Sequence, residues 1–230
     1  MKLLLIETAT QVCSAALTDG THILAQCQSD EANAHSSHLT PFIEQMLHDA
    51  RLAPRDVDAV GVSAGPGSYT GLRIGVSTAK GFCYATGRPL VAVPTLQGMA
   101  SLYFSQHPDF EGIVCPMIDA RRMECYTAFF SRQATLRDTR ADIITAGLYD
   151  EYLDRGEVAF VGDGAAKCRP LLGTHPAARF DEAFRPSAVG LLTEALRRLD
   201  AGQTEDVAYF EPFYLKDFVA KRSVVHGLRD

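Results

Sequence analysis

Apolar residues recur along this chain in two rhythms. MKLLLIETAT opens with the unbroken apolar run Leu3, Leu4, Leu5 and Ile6, which reads as a strand. QVCSAALTDGTHILAQCQS adds two apolar runs joined at Asp19-Gly20, a hairpin dipeptide, so a three-stranded antiparallel meander is predicted. The rhythm then lengthens. In HSSHLTPFIEQMLHDARL, Leu39, Phe42, Ile43, Met46, Leu47 and Ala50 recur three and four apart, which predicts one helix over 35–52 with Pro41 tolerated in its first turn. VDAVGVS reads as a short buried strand, TGLRIGVSTAKGFCYATG as a helix over 70–87 ending at Gly87, LVAVP as a strand and TLQGMASLYFS as a third helix.

The pattern then starts again. EGIVCPMIDARRMECYTAFFSRQATLRDTRADIITA offers three strands, GLYDEYLDRG a helix and EVAFVGDG a strand with a glycine turn. PSAVGLLTEALRRLD is a further helix, apolar at Val189, Leu192, Leu196 and Leu199. Laying LLLIETATQVCSAAL over CPMIDARRMECYTAF sets Glu7 on Asp119, Cys13 on Cys125 and Leu17 on Phe129, with each acid ending a first strand. The predicted fold class is α/β with two βββαβα halves, residues 1–108 and a smaller, degenerate 109–230. An acid at that position in each half is the pattern of the actin-like ATPase (ASKHA) fold, whose halves close on a nucleotide.

The nucleotide chemistry is incomplete in the residues. Phosphate-handling members of that fold carry each acid in Asp-x-Gly, where glycine lets backbone N–H groups approach phosphate. Here Glu7 is followed by Thr8-Ala9, and Asp119 by Ala120-Arg121. Gly162 and Gly164, flanking Asp163, are candidates to line a base pocket, or are simply a strand-to-helix turn. The glycine-rich SAGPGSYTGLRIG is not a P-loop, since Leu72 follows Gly71 where a lysine is needed, and its glycine spacing is not G-x-G-x-x-G.

On the helix it opens, Leu72, Val76, Ala79 and Cys83 form one apolar stripe. Gly71, Ile74, Gly75, Thr78, Phe82 and Ala85 form a second of mostly small residues. Glycine inside a helix costs about 1 kcal/mol against alanine, so Gly75 and Gly81 require a reason. That second stripe either packs on the helix of 35–52 or meets a partner subunit.

Composition narrows the class of function. The net charge is −6, and neither half is basic: 6 basic against 8 acidic residues before position 109, and 16 against 20 after it. Such a chain does not hold RNA alone, because a partner has to supply the positive surface. Six scattered cysteines form no C-x-x-C and suit a reducing compartment. His35 and His38 lack a third clustered ligand, so no metal is expected. With no apolar run long enough for a membrane span, and a start too short for a signal peptide, a cytoplasmic location is expected.

GPGSYTGLRIGVSTAKG, DARRMECYTAFF and EPFYLKDF resemble the TsaB (YeaZ) family of bacteria over nearly the whole chain. The resemblance implies an inactive paralogue of TsaD without a cofactor of its own. Such a protein would pair with itself when alone, bind TsaD with TsaE, and reach tRNA only through that complex. TsaD would then move a threonylcarbamoyl group from its adenylate to the adenosine 3′ of the anticodon, in tRNAs that read codons beginning with A. TsaD-like proteins carry metal-binding histidines in V-x-H-x-x-G-H; the matching stretch here is Val93 to Met99, with Thr95 and Met99 in the histidine positions. His35-Ser36-Ser37 departs from the family's His-Ser-Glu at Ser37. The implied interface lies on the first-half helices at Leu39, Phe42, Met46, Gly71, Ile74, Gly75, Thr78 and Phe82. The alternatives are a degenerate nucleotide-binding regulator and a peptidase-like enzyme.

Overall fold

A computed structural model describes residues 1–31 and 33–216; the tail VAKRSVVHGLRD lies outside the described residues. Strands β1 (Lys2–Glu7), β2 (Cys13–Asp19) and β3 (His22–Ser29) form the predicted meander. Gly20 at φ +57° turns the β2–β3 hairpin. β1 is central, antiparallel to β2 and parallel to β4 (Ala59–Ser63), which explains its unbroken apolar run. With β5 (Leu90–Val93) the first sheet reads β3-β2-β1-β4-β5. The second contains β6 (Ile113–Asp119), β7 (Glu124–Phe130), β8 (Thr135–Ile143), β9 (Val158–Val161) and β10 (Ala178–Asp181), ordered β8-β7-β6-β9-β10. The two sheets share strand order and direction, the duplicated actin-like fold.

Each half is one βα unit longer than the predicted βββαβα. In the first half that unit is β5 and the helix after it, both predicted from LVAVP and TLQGMASLYFS. The second adds β10, whose sequence ARFD carries two charges in four residues and shows no strand rhythm. The predicted helix of 35–52 is broken into α1 (Ala34–Ser37) and α2 (Leu39–Asp49). Pro41 is the cause: it lacks the N–H that would bond back to residue 37, and its ring clashes with that carbonyl. α3 (Tyr69–Thr86) begins at Ser68, whose Oγ accepts from Gly71 N at 3.2 Å, and ends at Gly87 at φ +71°.

α2 and α3 share one core against one face of the first sheet, where Leu4 and Ile6 meet Leu39, Met46, Val76 and Cys83. Leu3 and Leu5 point to the opposite face, and the helix covering them comes from the other half. This is α7 (Leu192–Asp200), entered through a 3₁₀ turn at Ala188–Leu191. Conversely α4 (Thr95–Gln106), which follows β5, packs Leu96, Met99 and Phe104 on the second sheet. The two helices thus exchange sheets. Where they cross, a Cβ on Gly190 would lie 2.5 Å from the Gly98 carbonyl oxygen, so two glycines permit backbone-to-backbone contact between the lobes. Gln97 Nε2 donates to buried Glu194 across the same crossing at 3.2 Å. α5 (Asp150–Leu153) and α6 (Ala165–Leu172) complete the second lobe.

Candidate functional site: an inter-lobe cleft and a helix face

A cleft of about 780 Å³ separates the lobes at the carboxyl ends of β1 and β6. The first lobe contributes the β1–β2 turn at Ala9 to Gln11, His35, and the start of α3 with Ser68 and Thr70. The second contributes the β6–β7 turn at Asp119 to Arg121, and Asp163. Phe213 to Lys216 form a strap along the mouth. The strap is bound to the first lobe, with Phe213 N donating to the Ala64 carbonyl at 2.7 Å and Lys80 Nζ donating to the Ala208 and Phe210 carbonyls. Tyr214 lies 5.0 Å from the Tyr69 ring, and Lys216 reaches the other lobe in an ion pair with Glu124.

The two acids matched in the sequence occupy matching turns. Glu7 Oε1 accepts from Ala9 N at 2.6 Å, and Asp119 Oδ1 accepts from Arg121 N at 2.6 Å. Their surroundings differ. Glu7 is buried behind the cleft, and burial raises its pKa to about 7 against the pull of hydrogen bonds from Ala9 and Ser63. It offers the cleft no free carboxylate. Asp119 is exposed and lines the cleft, but is tied to Lys167 Nζ, which also bonds the Arg122 and Glu124 carbonyls. Arg121 stands where Asp-x-Gly would place glycine and adopts the left-handed backbone itself, φ +73°.

Gly162 and Gly164 do not line this cleft. A Cβ on Gly162 would meet the Met117 carbonyl oxygen at 2.6 Å, and one on Gly164 would meet Cys125 Sγ at 2.9 Å. They let the β9–α6 turn lie against β6 and β7. The residue between them, Asp163, is the one that faces the cleft; it accepts from Asp119 N at 3.0 Å, and burial raises its pKa. An acid flanked by glycines after a strand was the signal for it. Thr95 and Met99 are both buried: Thr95 Oγ1 accepts from Gly65 N at 3.1 Å, and Met99 Cε packs towards Gly162. His35 and His38 diverge. His35 lines the cleft with a buried Nε2 that has no partner among the described residues, while the His38 ring lies tilted against Phe42 with centroids 5.6 Å apart.

The helix face needs correction at four of eight positions. Leu39 and Met46 are core residues, and Gly71 and Gly75 are buried against the chain's own β1–β2 turn. A Cβ at Gly71 would lie 2.1 Å from the Thr8 carbonyl oxygen, and one at Gly75 2.1 Å from Thr8 Oγ1. These glycines therefore clear space for Thr8 and not for another helix. Phe42, Ile74, Thr78 and Phe82 remain half-buried at the surface. Gly81 is exposed, with nothing among the described residues within 4 Å of where a Cβ would stand. Ile74, Ser77, Thr78, Gly81 and Ala85 share one outward stripe of α3.

A duplicated actin-like α/β protein with an acid-lined cleft and one exposed helix of small residues is the class that fold and site define. A family model described as "TsaD: tRNA N6-adenosine threonylcarbamoyltransferase" matches residues 27–224. The TsaB of Escherichia coli, named a tRNA threonylcarbamoyladenosine biosynthesis protein, is 30% identical over 228 residues, 96% of each chain. TsaB of Bacillus subtilis is 34% identical over 130 residues, 56% of this chain and 55% of that one. The crystal structure of YeaZ from Pseudomonas aeruginosa superposes with a TM-score of 0.80 at 26% identity, covering 93% of this chain and 99% of that one. The chain belongs to the TsaB (YeaZ) family. Among the described residues no helix is long and apolar enough to cross a membrane.

Proposed function

We propose that this chain is the non-catalytic activating subunit of a tRNA-modifying transferase. It would bind TsaD, with TsaE, for transfer of threonylcarbamoyl to the adenosine 3′ of the anticodon, and would pair with a second copy of itself when TsaD is absent. The observation that carries the reading is Gly81. A mid-helix glycine costs about 1 kcal/mol against alanine, and among the described residues nothing lies within 4 Å of where a Cβ on Gly81 would stand, so no close approach there requires glycine. A partner helix lying close along Ile74, Thr78 and Gly81 gives one, with Phe42 and Phe82 at its rim. Matched turns in which one acid is buried and the other tied to lysine support a role without catalysis. The acidic net charge fits a subunit that meets tRNA only inside the complex.

The test is Gly81→Arg, which adds bulk where the monomer has open space. It is expected to abolish co-purification with TsaD and self-pairing while leaving the unfolding curve unchanged; retained co-purification overturns the reading. Reconstitution of tRNA modification by TsaD and TsaE with and without this chain tests the activating role directly. A second reading, a nucleotide-binding regulator, is favoured by the cleft volume and the unpartnered His35 Nε2. Micromolar ATP binding by the isolated chain would support it.

A further inference from the structure

Beneath the second-lobe wall of the cleft lie two cysteines from different elements. Cys125 of β7 and Cys168 of α6 have their sulfur atoms 3.5 Å apart, and both side chains are fully buried. Nothing in the pairing of acids or the helix face uses them. We propose that Cys125 and Cys168 are an oxidant-sensitive dithiol that closes to a disulfide with small hydroperoxides.

The geometry is close to that product: the sulfurs need to approach by about 1.5 Å to reach the roughly 2.05 Å of a disulfide. The partners are held from both sides. The Cys125 thiol also points to the Gly164 carbonyl at 3.8 Å, and the glycine there leaves room for Sγ that a Cβ would fill. The pair is asymmetric, as a two-step oxidation requires. Either sulfur can donate to the other; with the proton on Cys125, Cys168 is held below the ordinary thiol range and Cys125 above it, and Lys167 beside Cys168 acts in the same direction. Lys167 is itself partly exposed, which puts the pair one residue beneath the surface.

In the first step the Cys168 thiolate attacks the O–O bond of the hydroperoxide. This gives a sulfenic acid, and the alkoxide leaves and takes the thiol's proton as alcohol (water, from hydrogen peroxide). The Cys125 sulfur then attacks the sulfenic sulfur, and its proton leaves with the hydroxyl as water. Two thiols and one hydroperoxide thus become one disulfide, one alcohol and one water. The bond ties α6 to β7 directly below the turn that carries Asp119 and Arg121, which is otherwise held there by Lys167 and by Asp163.

The test uses the full-length protein, treated folded with a small excess of hydrogen peroxide, alkylated, denatured and mapped without reduction. A Cys125–Cys168 cross-linked peptide is expected as the main product, reversed by dithiothreitol and retained in Cys115→Ser, whose thiol lies in the same apolar cluster. Recovery of both thiols unmodified overturns the proposal. So does sulfinic acid at Cys168 without a cross-link, or an equal yield of other cysteine pairs. The wild-type map decides it without relying on any variant to fold.

Discussion

The carbonyl oxygen of Thr8 lies where Gly71 would carry a Cβ, 2.1 Å from that position. The N-terminal turn of α3 is thereby locked on the end of β1, which ties the glycine loop to the β1–β2 turn lining the cleft. Because the obstructing atom is backbone, it cannot rotate away. Gly71→Ala is expected to destabilise by about 2 kcal/mol or more, despite alanine's better helix propensity. Gly81→Ala, on the same helix with open space, is expected to stabilise by about 1 kcal/mol. Urea unfolding of the two variants compares them directly, and equal shifts would show that the contact with Thr8 carries no weight.

Glu7 gives a pH dependence of known sign. Its folded pKa is raised to about 7 by burial, above its ordinary value of 4.5. A carboxyl raised in this way stabilises the fold fully below pH 4.5, and that contribution is lost as pH rises through 7. Glu7→Gln keeps the shape without the charge. Relative to the variant, the native protein should lose about 3 kcal/mol of stability between pH 4.5 and 8. Unfolding free energies of both proteins at the two pH values decide it. Taking the difference cancels the other carboxylates, and a pH-independent difference would mean that Glu7 is solvated.

Arg121 at φ +73° holds the conformation that glycine takes at no steric cost. The residue is therefore strained by about 1 kcal/mol. Arg121→Gly is expected to stabilise the second lobe by up to that amount, and Ala120→Gly, whose φ is not positive, to destabilise it. Thermal unfolding of the pair checks the order. If both variants lose stability alike, the side chain of Arg121 makes contacts worth more than the strain.

Periodicity made most of the fold legible. The run from Leu3 to Ile6 and the helical spacing of Leu72, Val76, Ala79 and Cys83 each fix a face locally, and the match of Glu7 to Asp119 exposed the duplication. What periodicity missed is long-range. The β10 strand has no alternation to read, and nothing in TLQGMASLYFS says that it crosses to the other lobe's sheet. The same limit explains the reading of α3. Small residues at 71, 75, 78 and 81 mark close approach but not by what, since Thr8 is 63 residues before Gly71 and, among the described residues, nothing stands within 4 Å of a Cβ at Gly81. The cleft was half legible: its acids follow strands, whereas the strap comes from a distant segment with no regular rhythm.

Gly65 and Phe213 decide whether that strap stays in place. Gly65 has φ +112°, which L side chains rarely adopt, and a Cβ there would lie 2.4 Å from the Phe213 carbonyl oxygen. One residue back, the Ala64 carbonyl accepts from Phe213 N at 2.7 Å, so the strap's backbone lies directly on residues 64 and 65. Gly65→Ala combines strain with a backbone clash. Releasing the strap is the cheaper relief, because it is held mainly by hydrogen bonds at a half-exposed surface, whereas residues 64 and 65 are anchored to β5 and Thr95. The variant is expected to raise the amide exchange of Phe213 and to make the Phe210–Lys216 stretch sensitive to protease, while α3 keeps its protection. Lys216→Ala, which removes only the ion pair with Glu124, should leave Phe213 protected, because exposed pairs contribute about 1 kcal/mol or less. If Phe213 loses protection equally in both variants, the inter-lobe ion pair holds the strap, and the contact at Gly65 merely follows it.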